Sequence, residues 1–221
     1  VYVLTPGRPL ILPGFLTDAE ISIVKELGLQ AAVAADTEMS TRLRVRISPT
    51  KTEPQHMKFY RSLLRRIVSY VNQYVDAEVV GHPYDGQLWP GAAHIIYDGA
   101  GSVEGLQVDA NETSINCVIA SIPLTGEGTD HQGGNLMFHT CSRHSYCRYQ
   151  NMEALLAASS RARGAAILNS VATPTRTVYA RAGELTFYLA DVAHSVSPVT
   201  SGLRQELRIA LTCSPTIAAQ L

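Results

Sequence analysis

Residues 189–204 read LADVAHSVSPVTSGLR, and an earlier stretch, residues 105–118, reads GLQVDANETSINCV. His194 sits just after the apolar run Leu185–Leu189, and Arg204 lies ten residues further on, at the entrance to the closing run ELRIALTC. Asp109 follows the Gly-containing loop Tyr97-Asp-Gly-Ala-Gly-Ser and precedes the β-rich run TSINCVIASIPL. A jelly roll that holds a metal commonly brings ligands from two distant points of the chain to one mouth of the sandwich, and Asp109 and His194 are suited to that. A guanidinium at 204 is suited to gripping a carboxylate through two parallel hydrogen bonds.

The runs around these stretches agree with such a sandwich. From about residue 87 the chain is a series of short β-rich segments broken by Gly, Pro, Asn and Asp: AHIIY, TSINCVIASIPL, NLMFH, AAILNS, RTVYA, ELTFYL and ELRIALTC. Seven or so strands at this spacing predict a double-sheet β-sandwich or a jelly roll (double-stranded β-helix) in a mainly β, α+β protein. The N-terminal third reads as helical. Thr17-Asp-Ala-Glu20 is a capping-box pattern opening a helix to about Gly28, and Thr52-Glu-Pro-Gln55 precedes Met57, Tyr60, Leu64, Ile67, Val68 and Val71 at helical spacing. The organisation expected is one domain over residues 1–221. It has a helical support region at 1–80 packed on one sheet and a jelly-roll core at 87–215, with an insertion at about 140–163.

Composition bounds the functional classes. The 221 residues carry a formal net charge of −1 and are 46% hydrophobic, enough to bury a full core. A near-neutral chain is a poor nucleic-acid binder, because such domains carry a strong basic excess on one face. One basic stretch exists, Arg42, Arg44, Arg46 and Lys51 and then Lys58, Arg61, Arg65 and Arg66, and it reads as a strand followed by a solvated helix face. No run is long and apolar enough to cross a bilayer, so the expectation is a soluble, cytoplasmic protein without a membrane partner. The four cysteines, Cys117, Cys141, Cys147 and Cys213, are too few and scattered for a disulfide framework, and a reducing compartment fits them. The nucleophile elbow of hydrolases, the phosphate loop and the dinucleotide fingerprint are all missing from the sequence.

The layout resembles the Fe(II)/2-oxoglutarate-dependent dioxygenases, in particular the prolyl 4-hydroxylase-like branch, whose pattern is His-x-Asp, a distal His, and an Arg or Lys about ten residues later. LPGFLTDAEISIVKEL at 12–27 resembles that branch's opening segment, AHIIYDGAGSVEGLQVD at 93–109 the approach to its first metal motif, and HQGGNLMF at 131–138 its Gly-Gly strand. HSVSPVTSGLR at 194–204 is the strongest match. The resemblance implies that Asp109 and His194 are metal ligands, that Arg204 binds the distal carboxylate of 2-oxoglutarate, and that Tyr97 donates a hydrogen bond to this co-substrate. It further implies Fe(II), 2-oxoglutarate and O2, with ascorbate as an accessory reductant. The activity implied is hydroxylation of a C–H bond in a peptidyl proline or an amino-acid-like small molecule.

The departure from the pattern is Gln107, in the place of the first histidine. Imidazole is a good donor to Fe(II), whereas an amide oxygen is a poorer, neutral one suited to hard cations. Gln107 is therefore either a weakened third ligand beside Asp109 and His194 or the mark of a chain that has lost its chemistry, by nature or by substitution. The second case leaves a catalytically silent jelly roll that binds a ligand or protein through the same mouth. His139, His94 and His131 are candidate replacement ligands. His139, Cys141, His144 and Cys147 have the ligand types of a structural zinc site without its usual spacing, and Cys141 and Cys147 can alternatively form a disulfide.

Overall fold

The computed structural model describes residues 8–34, 41–47, 54–75, 87–107, 109, 116–142, 145–146, 173–190 and 192–212. The N-terminal region holds helix α1 (Asp18–Ala34) and helix α2 (Pro54–Val71), and also two short strands, β1 (Leu10–Leu12) and β2 (Arg42–Arg46). The capping box forms as expected. The Thr17 amide donates to Glu20 Oε2 at 2.9 Å, and the Glu20 amide donates to Thr17 Oγ1 at 3.3 Å. Glu20 also pairs with Arg66 of α2 at 2.9 Å, and the Arg66 guanidinium lies 4.6 Å over the Phe15 ring, fastening the two helices at one end.

Helix α1 continues past Gly28 to Ala34. Gly28 therefore does not terminate the helix. A Cβ there would collide with the Tyr97 hydroxyl and stand 2.6 Å from Ile95 Cδ1, so the glycine lets the helix lie directly on the sheet. Helix α2 turns Met57, Tyr60, Leu63, Ile67 and Val71 inward, each buried, at steps of three and four residues.

The remaining strands are β3 (Trp89–Gly99), β4 (Glu104–Gln107), β5 (Asn116–Pro123), β6 (His131–Gly133), β7 (Leu136–Ser142), β8 (Ser145–Tyr146), β9 (Thr173–Val178), β10 (Leu185–Leu189), β11 (His194–Val196) and β12 (Val199–Thr212). They form two antiparallel sheets. One runs β1-β10-β5-β12-β3-β2, with β6 joined to β12, and the other runs β4-β11-β7-β8, with β9 joined to β7. This is a jelly roll, with both helices on the outer face of the larger sheet. The strands β1 and β2 form the two ends of that sheet's main path, so the N-terminal region supplies sheet as well as helical support.

The longest strand, β12, has fourteen residues, and Arg204 stands within it rather than at its entrance. Strand alternation sends Leu207, Ile209 and Leu211 to the apolar core shared with the helices, and Arg204, Glu206 and Arg208 to the space between the sheets. Cys117 is disulfide-bonded. The run AAILNS, most of the insertion at 140–163, and His144 and Cys147 lie outside the described residues. No described helix is long and apolar enough to cross a membrane.

Candidate functional site

Two of the residues singled out in the sequence meet between the sheets. Strand β11 begins at His194, whose register partners are Gln107 on β4 and Phe138 on β7. His194 is fully buried, and its Nε2 lies 3.3 Å from Asp109 Oδ2. Its other nitrogen, Nδ1, is 3.0 Å from the Val192 carbonyl, which accepts its proton and fixes the ring so that Nε2 faces Asp109. The Tyr188 hydroxyl donates to the same Asp109 oxygen at 3.3 Å, and the Tyr188 and Phe138 rings close over the imidazole edge.

Burial opposes charge on both partners, and their attraction overcomes it. Asp109 is pushed up by burial but held down to about 2 by His194, Arg208 and the Tyr188 hydroxyl. His194 is pushed down by burial, yet the Asp109 carboxylate holds its protonated form above the usual range. Both displacements favour the imidazolium–carboxylate form of the pair, and a divalent cation bound at Nε2 would have to displace that proton.

Gln107 completes the cluster with the wrong end of its amide. Its Nε2 donates to Glu104 Oε1 at 2.6 Å and lies 3.5 Å from His194 Nε2. Exchanging the amide oxygen and nitrogen would set an oxygen against the Glu104 carboxylate, so Glu104 fixes the orientation. What faces His194 is thus an N–H donor with no lone pair to offer a metal. Among the described residues, no three His, Cys, Asp or Glu side chains come together as a metal-holding group.

The three candidate replacement histidines are elsewhere. His139 Nε2 is 2.7 Å from Ser195 Oγ, on the face of the smaller sheet opposite to Phe138 and His194. His131 Nδ1 contacts the Gly133 carbonyl at 3.1 Å. His94 lies on the inner face of β3, opposite Arg208 in register.

Arg204 is buried and already engaged. Its guanidinium contacts Asp98 Oδ2 at 2.5 Å and Glu206 Oε2. Glu206 in turn contacts Arg208 Nε at 3.0 Å and accepts from Ser121 Oγ at 2.8 Å. Arg208 reaches across to Glu104 of the other sheet at 3.1 Å, and Glu104 also holds Arg42 at 2.6 Å, while Arg42 Nε meets Asp98 at 3.3 Å. Three guanidiniums and three carboxylates close into one neutral network. Burial tends to raise the Glu206 and Glu104 carboxyls, but the neighbouring arginines hold both below the usual range. Gly134, at φ +69°, lets the network form: a Cβ there would stand 2.6 Å from Arg204 Cδ.

Tyr97 is on the other side of the sheet. It alternates with Ile96 and Asp98, so its side chain points to α1 and its hydroxyl lies against Gly28, away from Arg204. The partners that sequence reading missed are Glu206 and Asp98. Glu206 was findable, because residues 204 and 206 of a strand share a face, whereas Asp98 needed the register of β3 on β12.

These residues do not fit 2-oxoglutarate as they stand. A dianion placed at Arg204 would confront Asp98 and Glu206 and leave buried negative charge without a partner. They fit a metal at two points, Asp109 and His194, but not at Gln107.

No protein-family model matches the chain, and no curated protein matches it. Solved structures do. A prolyl-4-hydroxylase from Pseudomonas putida is 16% identical over 94% of this chain and 93% of its own, with a TM-score of 0.59. The non-heme alpha ketoglutarate dependent carbocyclase SnoK from nogalamycin biosynthesis is 16% identical over 92% and 79%, at 0.63. HygX from Streptomyces hygroscopicus, solved with nickel and 2-oxoglutarate, is 16% identical over 94% and 83%, at 0.60. The chain has the fold of the 2-oxoglutarate–Fe(II) oxygenases.

Proposed function

We propose that this chain is a ligand-binding jelly roll on an oxygenase fold, silent in 2-oxoglutarate turnover. The observation that carries this reading is the engagement of Arg204 by Asp98 and Glu206, which puts the protein's own carboxylates where a co-substrate carboxylate would bind. The amide of Gln107, turned by Glu104 to present N–H, supports it independently. Asp109 and His194 act here as a buried ion pair that orders the ends of β4 and β11, with Tyr188 as its hydrogen-bond donor. A second reading, an oxygenase with an altered iron site, is favoured by one arrangement: His194 is held by the Val192 carbonyl with Nε2 toward Asp109, the orientation a metal ligand needs. In that reading Asp109 and His194 hold Fe(II), which supplies the O2 chemistry.

Anaerobic titration of Fe(II) and 2-oxoglutarate, followed by O2, separates the two. The expected result is no visible charge-transfer band and no succinate. The Gln107→His variant is expected to gain affinity for the metal by 10-fold or more and still to make no succinate, because Arg204 remains engaged. Succinate formed by the unaltered protein in proportion to 2-oxoglutarate consumed overturns the proposal and establishes the second reading.

A further inference from the structure

The basic strand β2 divides into two kinds of arginine. Its alternation buries Leu43 and Val45 against α1 and turns Arg42, Arg44 and Arg46 to the inner face of the larger sheet. The register then sets three rows across that face: Arg42, Asp98, Arg204; Arg44, Ile96, Glu206; and Arg46, His94, Arg208. Arg42 belongs to the neutral network. Arg44 and Arg46 are exposed, and no carboxylate among the described residues pairs with either.

Between them and Arg208 stands the ring of His94. Arg44 Nη2 lies 3.4 Å from His94 Nδ1, so in the neutral ring Nδ1 accepts and the proton sits on Nε2 as a further donor. The ring stays neutral: burial first, then Arg44, Arg46 and Arg208, push His94 down to about 4. Two guanidiniums two residues apart on one strand, about 7 Å between their Cα atoms, thus stand beside one neutral, half-buried imidazole at the edge of the sheet, Arg44 in contact with it and Arg46 opposite it in register. With Arg208 already balanced by Glu104 and Glu206, the surplus on this face is two positive charges.

We propose that Arg44, Arg46 and His94 form a binding subsite for an oxyanion, a phosphate or carboxylate group carried by the ligand of this jelly roll. A dianionic group cancels the surplus and meets planar donors of the geometry that guanidinium offers to carboxylate and phosphate. The proposal takes from the reading above only that the mouth binds a ligand. It supplies the ligand's chemical class.

The test is titration of the ¹⁵N-labelled protein with inorganic phosphate and, separately, with malonate, following the β2 and β3 amides and the arginine Nε–H signals at constant ionic strength set by sodium chloride. Saturable shifts at residues 44, 46 and 94 are expected with at least one probe, and the tighter of the two identifies phosphate or carboxylate as the preferred group. The Arg44→Gln/Arg46→Gln variant should bind at least 10-fold more weakly, while the Arg44→Lys/Arg46→Lys variant stays within a few-fold. Both should keep the thermal midpoint of the unaltered protein, since the two side chains are exposed. Shifts that fail to saturate with either probe, or binding by the glutamine variant equal to that of the unaltered protein, overturn the proposal. Succinate production reports on the earlier reading alone, so the two stand or fall separately.

Discussion

Glu206 is the residue on which the interior of this protein balances. It is almost wholly buried and faces two guanidiniums, so its charge is compensated only while both remain in place. Glu206→Gln keeps the shape and removes the charge, leaving an uncompensated positive charge between the sheets. Urea unfolding should show a loss of about 3–5 kcal/mol, the usual cost of stranding one member of a buried pair. A loss below about 1 kcal/mol would mean that solvent reaches the network. At this scale the sequence is legible where an apolar strand delivers a polar residue to its end, as Leu185–Leu189 and the turn after it deliver His194. It is less legible for Arg204. A strand position, an alternation and a spacing of ten residues describe where its guanidinium goes, but what it meets depends on Asp98, 106 residues away, and on a second charge in its own strand. The orientation of Gln107 is likewise set by Glu104, three residues earlier, whose own position is fixed by Arg42 and Arg208.

Among the elements, α1 rests on β3 through the smallest possible contact. In an exposed helix Gly→Ala is worth about 1 kcal/mol in favour of folding. At Gly28 the sign reverses, because a methyl group has no room beside the Tyr97 hydroxyl and Ile95. Gly28→Ala should therefore destabilise by roughly 1–3 kcal/mol, and Tyr97→Phe in the same chain should return part of the loss, a coupling that a double-mutant cycle by thermal or urea unfolding measures directly. Additive effects would place the hydroxyl elsewhere. The capping box and the inward stripe of α2 are readable from local sequence, since each is closed within a few residues. The length of α1 is not, because Gly28 looks like a stop signal until the strand beneath it is known. The same holds for β1, a three-residue segment whose strand character comes from pairing with β10, whereas β2 is legible as the strand ahead of α2 and only its pairing with β3 is not.

For the molecule as a whole, two histidines displaced in opposite directions, His94 and His194, make contributions of opposite sign to the pH dependence of stability. His94 is held down to about 4 against an ordinary value of 6.5, so between these limits the unfolded chain takes up a proton that the folded chain refuses. Stability should fall as the pH drops from 6.5 to 4, by roughly 1–2 kcal/mol once solvent screening at this half-buried ring is allowed for, and this contribution levels off below 4. His194 acts in the other window: its stabilising contribution is complete below 6.5 and is lost as the pH rises through its raised folded value. Urea unfolding at stepped pH should show the slope between 6.5 and 4 become shallower in His94→Gln but not vanish, because the depressed His131, Glu104 and Glu206 add contributions of the same sign. An unchanged slope would assign it to other groups.

The network of Arg42, Arg204, Arg208, Asp98, Glu104 and Glu206 also constrains how this sequence can change over generations. Each member is costly to lose alone, since every single substitution strands an opposite charge, while concerted replacement by apolar side chains of similar volume is a well-tolerated kind of change. A chain with this interior cannot reach an open anion clamp by one step, because freeing Arg204 requires removing both Asp98 and Glu206 and rebalancing Arg208. The six charges therefore act as a ratchet. Drift at the exposed rim, at Arg44 and Arg46, proceeds one residue at a time, and new ligand preferences in this protein are accessible there first.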